Sequence, residues 1–207
     1  MKVFLMSIAF LCVCVAFGNA EEKRTQQDSD VAEYAVLAGA SPFGFSGTFA
    51  HHSSEKTSWL FSFGGVPDLD FILDTVGEKY RVTSQSSWAG VFINHRPFET
   101  ASWLRLVAGL GVGRIENSLT REVDGVGADQ YEANYRSNPV MYFGAGFGLK
   151  PVKGFVWALD IGWLQTAGPE ITKTSDDLES DRSFELRTSS FLGAVLPNVQ
   201  LSLGYGF

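Results

Sequence analysis

From Leu104 to Gly113 the chain reads LRLVAGLGVG, with bulky apolar residues at the even positions and Arg, Val or Gly at the odd ones. The same period of two recurs from Met141 to Lys150. There Met141, Phe143, Ala145, Phe147 and Leu149 oppose Tyr142, Gly144, Gly146, Gly148 and Lys150. It recurs again in Trp59, Phe61 and Phe63, in Phe155, Trp157, Leu159, Ile161 and Trp163, and in the last nine residues, VQLSLGYGF. Side chains of a strand point alternately to its two faces, so each segment has one bulky apolar face and one small or polar face. A period of two marks strands and not helices.

The bulky faces carry many aromatic rings, and rings make up 14% of the sequence. A small soluble barrel would have to point these rings inward, and an eight-stranded interior has little room for them. They are expected to face outward into lipid, with the glycine-rich face lining a narrow lumen. Backbone polar groups in lipid must all be paired, which a closed barrel achieves and an open sheet does not. Strands of about 9–11 residues are long enough to cross. Trp103, Trp157, Trp163, Tyr205 and Phe207 lie near segment ends, where interfacial rings belong.

Lys2, the apolar run Val3–Phe17 and the small residues before Glu21 have the form of a secretory signal peptide, with cleavage expected after Ala20. Residues 21–32 are expected to form a flexible leader and 33–207 the barrel. Both cysteines, Cys12 and Cys14, fall in the apolar run, so the exported chain has neither disulfide nor thiol chemistry. The net charge of −7 argues against a nucleic-acid partner.

The segments 33–52, 57–66, 68–76, 80–95, 101–119, 139–150, 154–166 and 183–207 give an all-β, antiparallel up-and-down barrel of eight strands. In this count 33–52 is one strand bulged at Ser41-Pro42, and 183–207 is one strand bulged at Pro197. Short turns at 66–68, 96–100 and 151–153 then share one end, and the long acidic loops 120–138 and 167–182 share the other. Bacterial outer membrane barrels have this asymmetry, with short periplasmic turns and long outer loops. A second count splits 183–207 at Pro197-Asn198 and omits 68–76. It also reaches eight, but reverses the ends.

The signal peptide, the strand count and the terminal aromatic together resemble the small outer membrane barrels of Gram-negative bacteria, of the OmpX, OmpW and OmpA-barrel type. The resemblance implies residence in the outer membrane among its lipid and lipopolysaccharide. It implies that the barrel-assembly machinery reads Val199, Leu201, Leu203, Tyr205 and Phe207 as an assembly signal. It further implies a structural or surface-contact role with no catalysis and no cofactor. A peptidoglycan-binding domain of the OmpA type is not expected after Phe207. The oligomeric state is not specified.

Asp70, Asp74, Arg105, Lys150 and Asp160 fall on inward faces in this register, and buried charges need partners, so an internal polar network is expected. A narrow path for small solutes, apolar ones included, is the alternative use of the same lumen. His51-His52-Ser53-Ser54 has the residue types of a lipid-modifying hydrolase, with His51 and Ser53 sharing a face at the outer rim, but no matching acid stands near it. The Gly-x-Gly-x-Gly runs at 109 and 144 lack the following helix that a phosphate loop requires. Asp176, Asp177, Glu179 and Asp181 match no calcium-loop spacing, so no metal is expected there.

Overall fold

The computed structural model describes residues 31–75, 77–123, 126–136, 139–174, 183–188 and 192–207, with backbone alone for 122–123 and 126–129. The expected signal peptide and most of the leader therefore lie outside the described residues, as do Asp176, Asp177, Glu179 and Asp181. The strands are β1 (Tyr34–Ser41), β2 (Gly44–His52), β3 (Thr57–Thr75), β4 (Glu78–His95) and β5 (Leu104–Val123). They continue with β6 (Val126–Tyr135), β7 (Pro139–Gly148), β8 (Gly154–Gln165), β9 (Glu170–Lys173) and β10 (Val195–Gly206). A short helix, α1 (Ser183–Arg187), precedes β10.

Eight strands close a ring in the order β1-β2-β3-β4-β5-β7-β8-β10, every pairing antiparallel, and β10 returns to β1. The seam runs from Ala35 opposite Gly206 to Ala40 opposite Leu201, and Phe207 and Tyr34 exchange backbone hydrogen bonds. Closure leaves no edge in the hydrocarbon layer, which is what lipid demands of a sheet. β6 pairs with the far half of β5, and β9 pairs with β6, so one side of the wall continues beyond the ring.

The count of eight is reached differently from the sequence expectation. Ser41–Gly44 is a full reversal between two strands, not a bulge, and Gly44 holds φ at +100°, a conformation that favours glycine. Val66-Pro67-Asp68 is not a turn but a bulge within one long β3, where the register shifts between Val66 and Leu69. The two differences cancel in the total. Within 120–138, residues 120–123 and 126–135 belong to the β5–β6 hairpin and not to an irregular loop, and Leu119, Tyr131 and Ala133 supply its buried face. Pro197 lies opposite Trp163 in unbroken register, without a bulge. β1 pairs with β10 only from Leu201 onward, so the missing N–H of Pro197 interrupts no ladder on that side. Ala32 donates its N–H to the Pro151 carbonyl, so the last residues of the expected leader are tied to the barrel.

The polarity of the wall inverts along its height. In the ring, outward positions are Val36, Phe49, Phe61, Val91, Leu106, Leu110, Phe143, Ile161 and Leu203, all exposed. Further along β4 and β5 the outward positions become Arg81, Gln85, Arg114 and Ser118. Over the same stretch the inward positions turn apolar. Tyr80, Val82, Leu119, Tyr131, Ala133 and Ile171 form a buried core, roofed by Leu186 of α1 and by Leu192. β4 and β5 run straight through this change, whereas β3 uses its bulge to swap faces. Large apolar groups are stable on the outside only where the solvent is lipid. The inversion therefore marks where the hydrocarbon layer ends and water begins. The fold is a transmembrane β-barrel carrying an aqueous sheet on one side. Tyr34, Trp103, Tyr205 and Phe207 ring the opposite end, with Trp103 stacked on Phe147 at 5.8 Å.

Candidate functional site

The lumen is the interior shared by all eight strands of the ring, and its side chains fall into layers. At the end holding Tyr34 and Phe207, Arg96 is 5% exposed. Its Nε donates to the Ser102 carbonyl at 3.1 Å and its Nη2 to the Leu149 carbonyl at 2.8 Å, so it ties two turns together across the opening. Burial, together with the charge of Arg105, lowers the pKa of Arg96 to about 10, with Asp160 opposing. The guanidinium stays charged at neutral pH.

One layer further in, Arg105 of β5 meets Asp160 of β8. Nη2 reaches both carboxylate oxygens at 2.7 Å, and Nε reaches Oδ1 at 3.2 Å. Both side chains are largely buried, at 9% and 16% exposure. The forked geometry suits a guanidinium–carboxylate pair in low dielectric. β7 lies between the two strands, and Gly146 stands opposite both residues in register. A Cβ at Gly146 would collide with Arg105 Nε and Asp160 Oδ1. The glycine makes room for the pair. His52 Nδ1 and Ser58 Oγ lie 2.6 Å apart, and Thr48 and Ser62 share a 2.8 Å hydrogen bond on the adjoining strands.

Beyond these polar layers lies a cavity of about 140 Å³, lined mostly by apolar atoms. Phe43, Trp88, Phe92, Ile115, Leu164 and Leu196 contribute to its wall. The β1–β2 hairpin tip folds inward over it, since the Phe43 carbonyl accepts from Ser86 Oγ at 2.8 Å and Trp88 Nε1 at 3.3 Å. Tyr142 meets Phe92 edge to face at 5.9 Å. Tyr142 and Asn198 are 5% and 7% exposed, and their side chains meet inside the lumen.

Of the charged residues expected in the lumen, the fold brings together Arg105 and Asp160. Asp70 and Asp74 are corrected to the outward face of the aqueous sheet, because the β3 bulge reverses the parity beyond Val66. Asp70 Oδ1 accepts from Thr83 Oγ1 there, at 2.6 Å. Lys150 is exposed in the turn after β7, where the strand has already ended at Gly148. Val199, Leu201, Leu203, Tyr205 and Phe207 form an unbroken outward stripe on and just after β10, each at least 42% exposed. His51, His52 and Ser53 lie at the end holding Phe207 and not at the rim of the aqueous sheet, because the chain has reversed at Ser41–Gly44. Ser53 Oγ donates to the Thr57 carbonyl and His52 is engaged by Ser58, so no His51–Ser53 relay is formed.

Sequence reasoning missed Arg96, Tyr142, Asn198 and Phe43. Arg96 directly follows the inward-facing Asn94 layer, but its inward turn depends on the carbonyls of two remote turns. Tyr142 was legible as the one ring on a face otherwise of glycine and lysine.

No protein-family model and no curated protein matches the sequence. Among solved structures, the chain resembles Acinetobacter baumannii CarO, with a TM-score of 0.65 over 88% of this chain and 100% of that one, at 16% identity. It resembles A. baumannii CarO2 with a TM-score of 0.64 over 87% and 100%, at 15% identity. A major outer membrane protein from Thermus thermophilus gives 0.50 over 85% and 99%, at 12% identity. The chain has the fold of small outer membrane β-barrels.

Proposed function

We propose that this chain is a non-enzymatic outer membrane protein whose lumen is closed to ions, and that it acts through structure and surface contact. The observation that carries this reading is the bonded polar layer at the base of the lumen. The buried Arg105–Asp160 pair spans from β5 to β8, and Arg96 ties the turns below. The end holding Tyr34 and Phe207 faces the periplasm, and the aqueous sheet of β3–β6 and β9, with α1, faces outward toward lipopolysaccharide and whatever the cell meets. The outward stripe Val199, Leu201, Leu203, Tyr205 and Phe207 is the segment offered to the barrel-assembly machinery. In planar bilayers the purified protein is expected to give no stable large conductance. Reproducible channels that vanish on Asp160→Asn would contradict the closed lumen.

A second reading, passage of a small apolar solute, is favoured by the apolar cavity above the polar layers. Solute-specific uptake into proteoliposomes, without ion conductance, would select it.

A further inference from the structure

We infer that the free edge of β3 in the aqueous sheet, residues 69–75, is a docking site for an extended peptide segment that alternates basic and apolar residues. β2 ends its pairing opposite Gly65, so beyond that point β3 is paired on one side only, with β4. Among the described residues no strand pairs with its other side. Such an edge presents a row of N–H and C=O groups that an extended peptide completes as one more strand.

Two features of the edge select its occupant. On the inward face Leu69 and Phe71 stay 43% and 40% exposed, although Leu73 beside them packs against the buried core. The sheet stops one strand short of covering them, and apolar side chains of an added strand would pack there. On the outward face Asp70 and Asp74 flank Ile72. Lys79 and Arg81 of β4 lie one strand farther in, across from Asp74 and Ile72. A residue added at the free edge therefore has the two aspartates as its direct neighbours, and basic residues opposite them form cross-strand ion pairs. A second copy of this chain is disfavoured by the same charges. Paired antiparallel about Ile72, it sets Asp70 opposite the copy's Asp74, and paired about Phe71 it sets Asp74 opposite the copy's Asp68. Pro67 and the bulge between Val66 and Leu69 end the free run on the membrane side.

This site gives the proposed surface contact a partner class, and it rests on that reading only for the sheet facing outward in the cell. The test is fluorescence anisotropy on the full barrel in zwitterionic lipid nanodiscs, with empty nanodiscs as background. The probe is a labelled Lys-Val-Thr-Val-Lys-Val peptide. It is compared with a form carrying Glu for Lys and with two forms N-methylated on odd or on even residues. Saturable binding of the lysine peptide is expected. At least one N-methylated form should bind about 10-fold more weakly, since it cannot donate to the edge. The glutamate form should lose as much, and Asp70→Asn with Asp74→Asn should weaken the lysine peptide about 3- to 10-fold, as two cross-strand pairs provide. No saturable binding above empty nanodiscs, equal binding of both N-methylated forms and the unmodified peptide, or an affinity unmoved by the double substitution would overturn the site. A concentration-dependent disulfide dimer of Ile72→Cys would give the edge to a second copy and overturn it too. Should the double variant fail to fold, the N-methyl comparison on the wild type still decides. Nanodiscs leave both ends of the barrel open to solvent, so a failed assay counts against the edge alone. The closed lumen and the orientation are read separately, by conductance and by surface labelling of cells.

Discussion

Arg105 Nη2 bonds both carboxylate oxygens of Asp160 at 2.7 Å, from strands that are not neighbours, over the one glycine that leaves them space. The pair staples β5 to β8 across β7. Removing one partner strands a charge in a largely buried site. Arg105→Leu or Asp160→Asn is expected to cost about 3–5 kcal/mol, while a double replacement by apolar residues recovers most of it. Urea unfolding from lipid vesicles, followed by tryptophan fluorescence, measures both.

Gly146→Ala should reproduce much of that loss without changing any charge, because the added Cβ collides with both members of the pair. Its double mutant with Asp160→Asn is then expected to be less costly than the sum of the two single changes, since both act on one contact. Strict additivity would mean that the glycine serves something else.

The polarity inversion predicts where arginine is tolerated. Phe61 and Ile72 are 48% and 62% exposed on the outward face of the same strand. Phe61 lies in the lipid belt, so Phe61→Arg is expected to cost about 2–4 kcal/mol. Ile72 lies beyond the bulge in water, and Ile72→Arg should stay within about 0.5 kcal/mol. Equal costs would move the membrane boundary.

Two turn glycines separate backbone conformation from close packing. Gly44 and Gly77 hold φ at +100° and +74°. A Cβ at Gly44 would strike the Gly65 carbonyl, whereas nothing lies within 4 Å of one at Gly77. Gly44→Ala is therefore expected to destabilise by about 1–3 kcal/mol, and Gly77→Asn by only a few tenths. Thermal unfolding of the two variants in one detergent ranks them.

At the turns on the end holding Phe207, Lys56 Nζ donates to Glu99 Oε1 at 2.7 Å, and that hydrogen bond, then the charge, lowers the pKa of Glu99. A depressed folded-state pKa gives a contribution that is present above the unfolded-state value and lost as pH falls through the folded one. Glu99 is fully exposed, so the contribution is small. A carboxyl ¹³C titration should find Glu99 below the ordinary range and back within it in Lys56→Met.

The ring was legible because lipid-facing strands write a period of two, and Leu104 to Gly113 or Val199 to Phe207 carry it without interruption. Beyond the membrane the pattern changes meaning. Leu69, Phe71 and Leu73 have the same alternation as Phe61 and Phe63, yet they turn to the other side because an extra residue intervenes at Val66–Leu69. Periodicity gives a face but does not say which face, and so it sent Asp70 and Asp74 inward. Arg105 and Asp160 were each legible as inward charges. Their meeting depends on β7 lying between them, a relation set by sheet order and not by either segment alone.

The protein is a closed barrel held in lipid. The most direct measurement is gel mobility of the protein extracted without boiling from an outer membrane fraction, compared with the boiled sample. A faster-migrating unboiled band, converted by heat to the full-length position, is the predicted result. Recovery of the chain in the soluble periplasmic fraction, with one mobility before and after boiling, would contradict it.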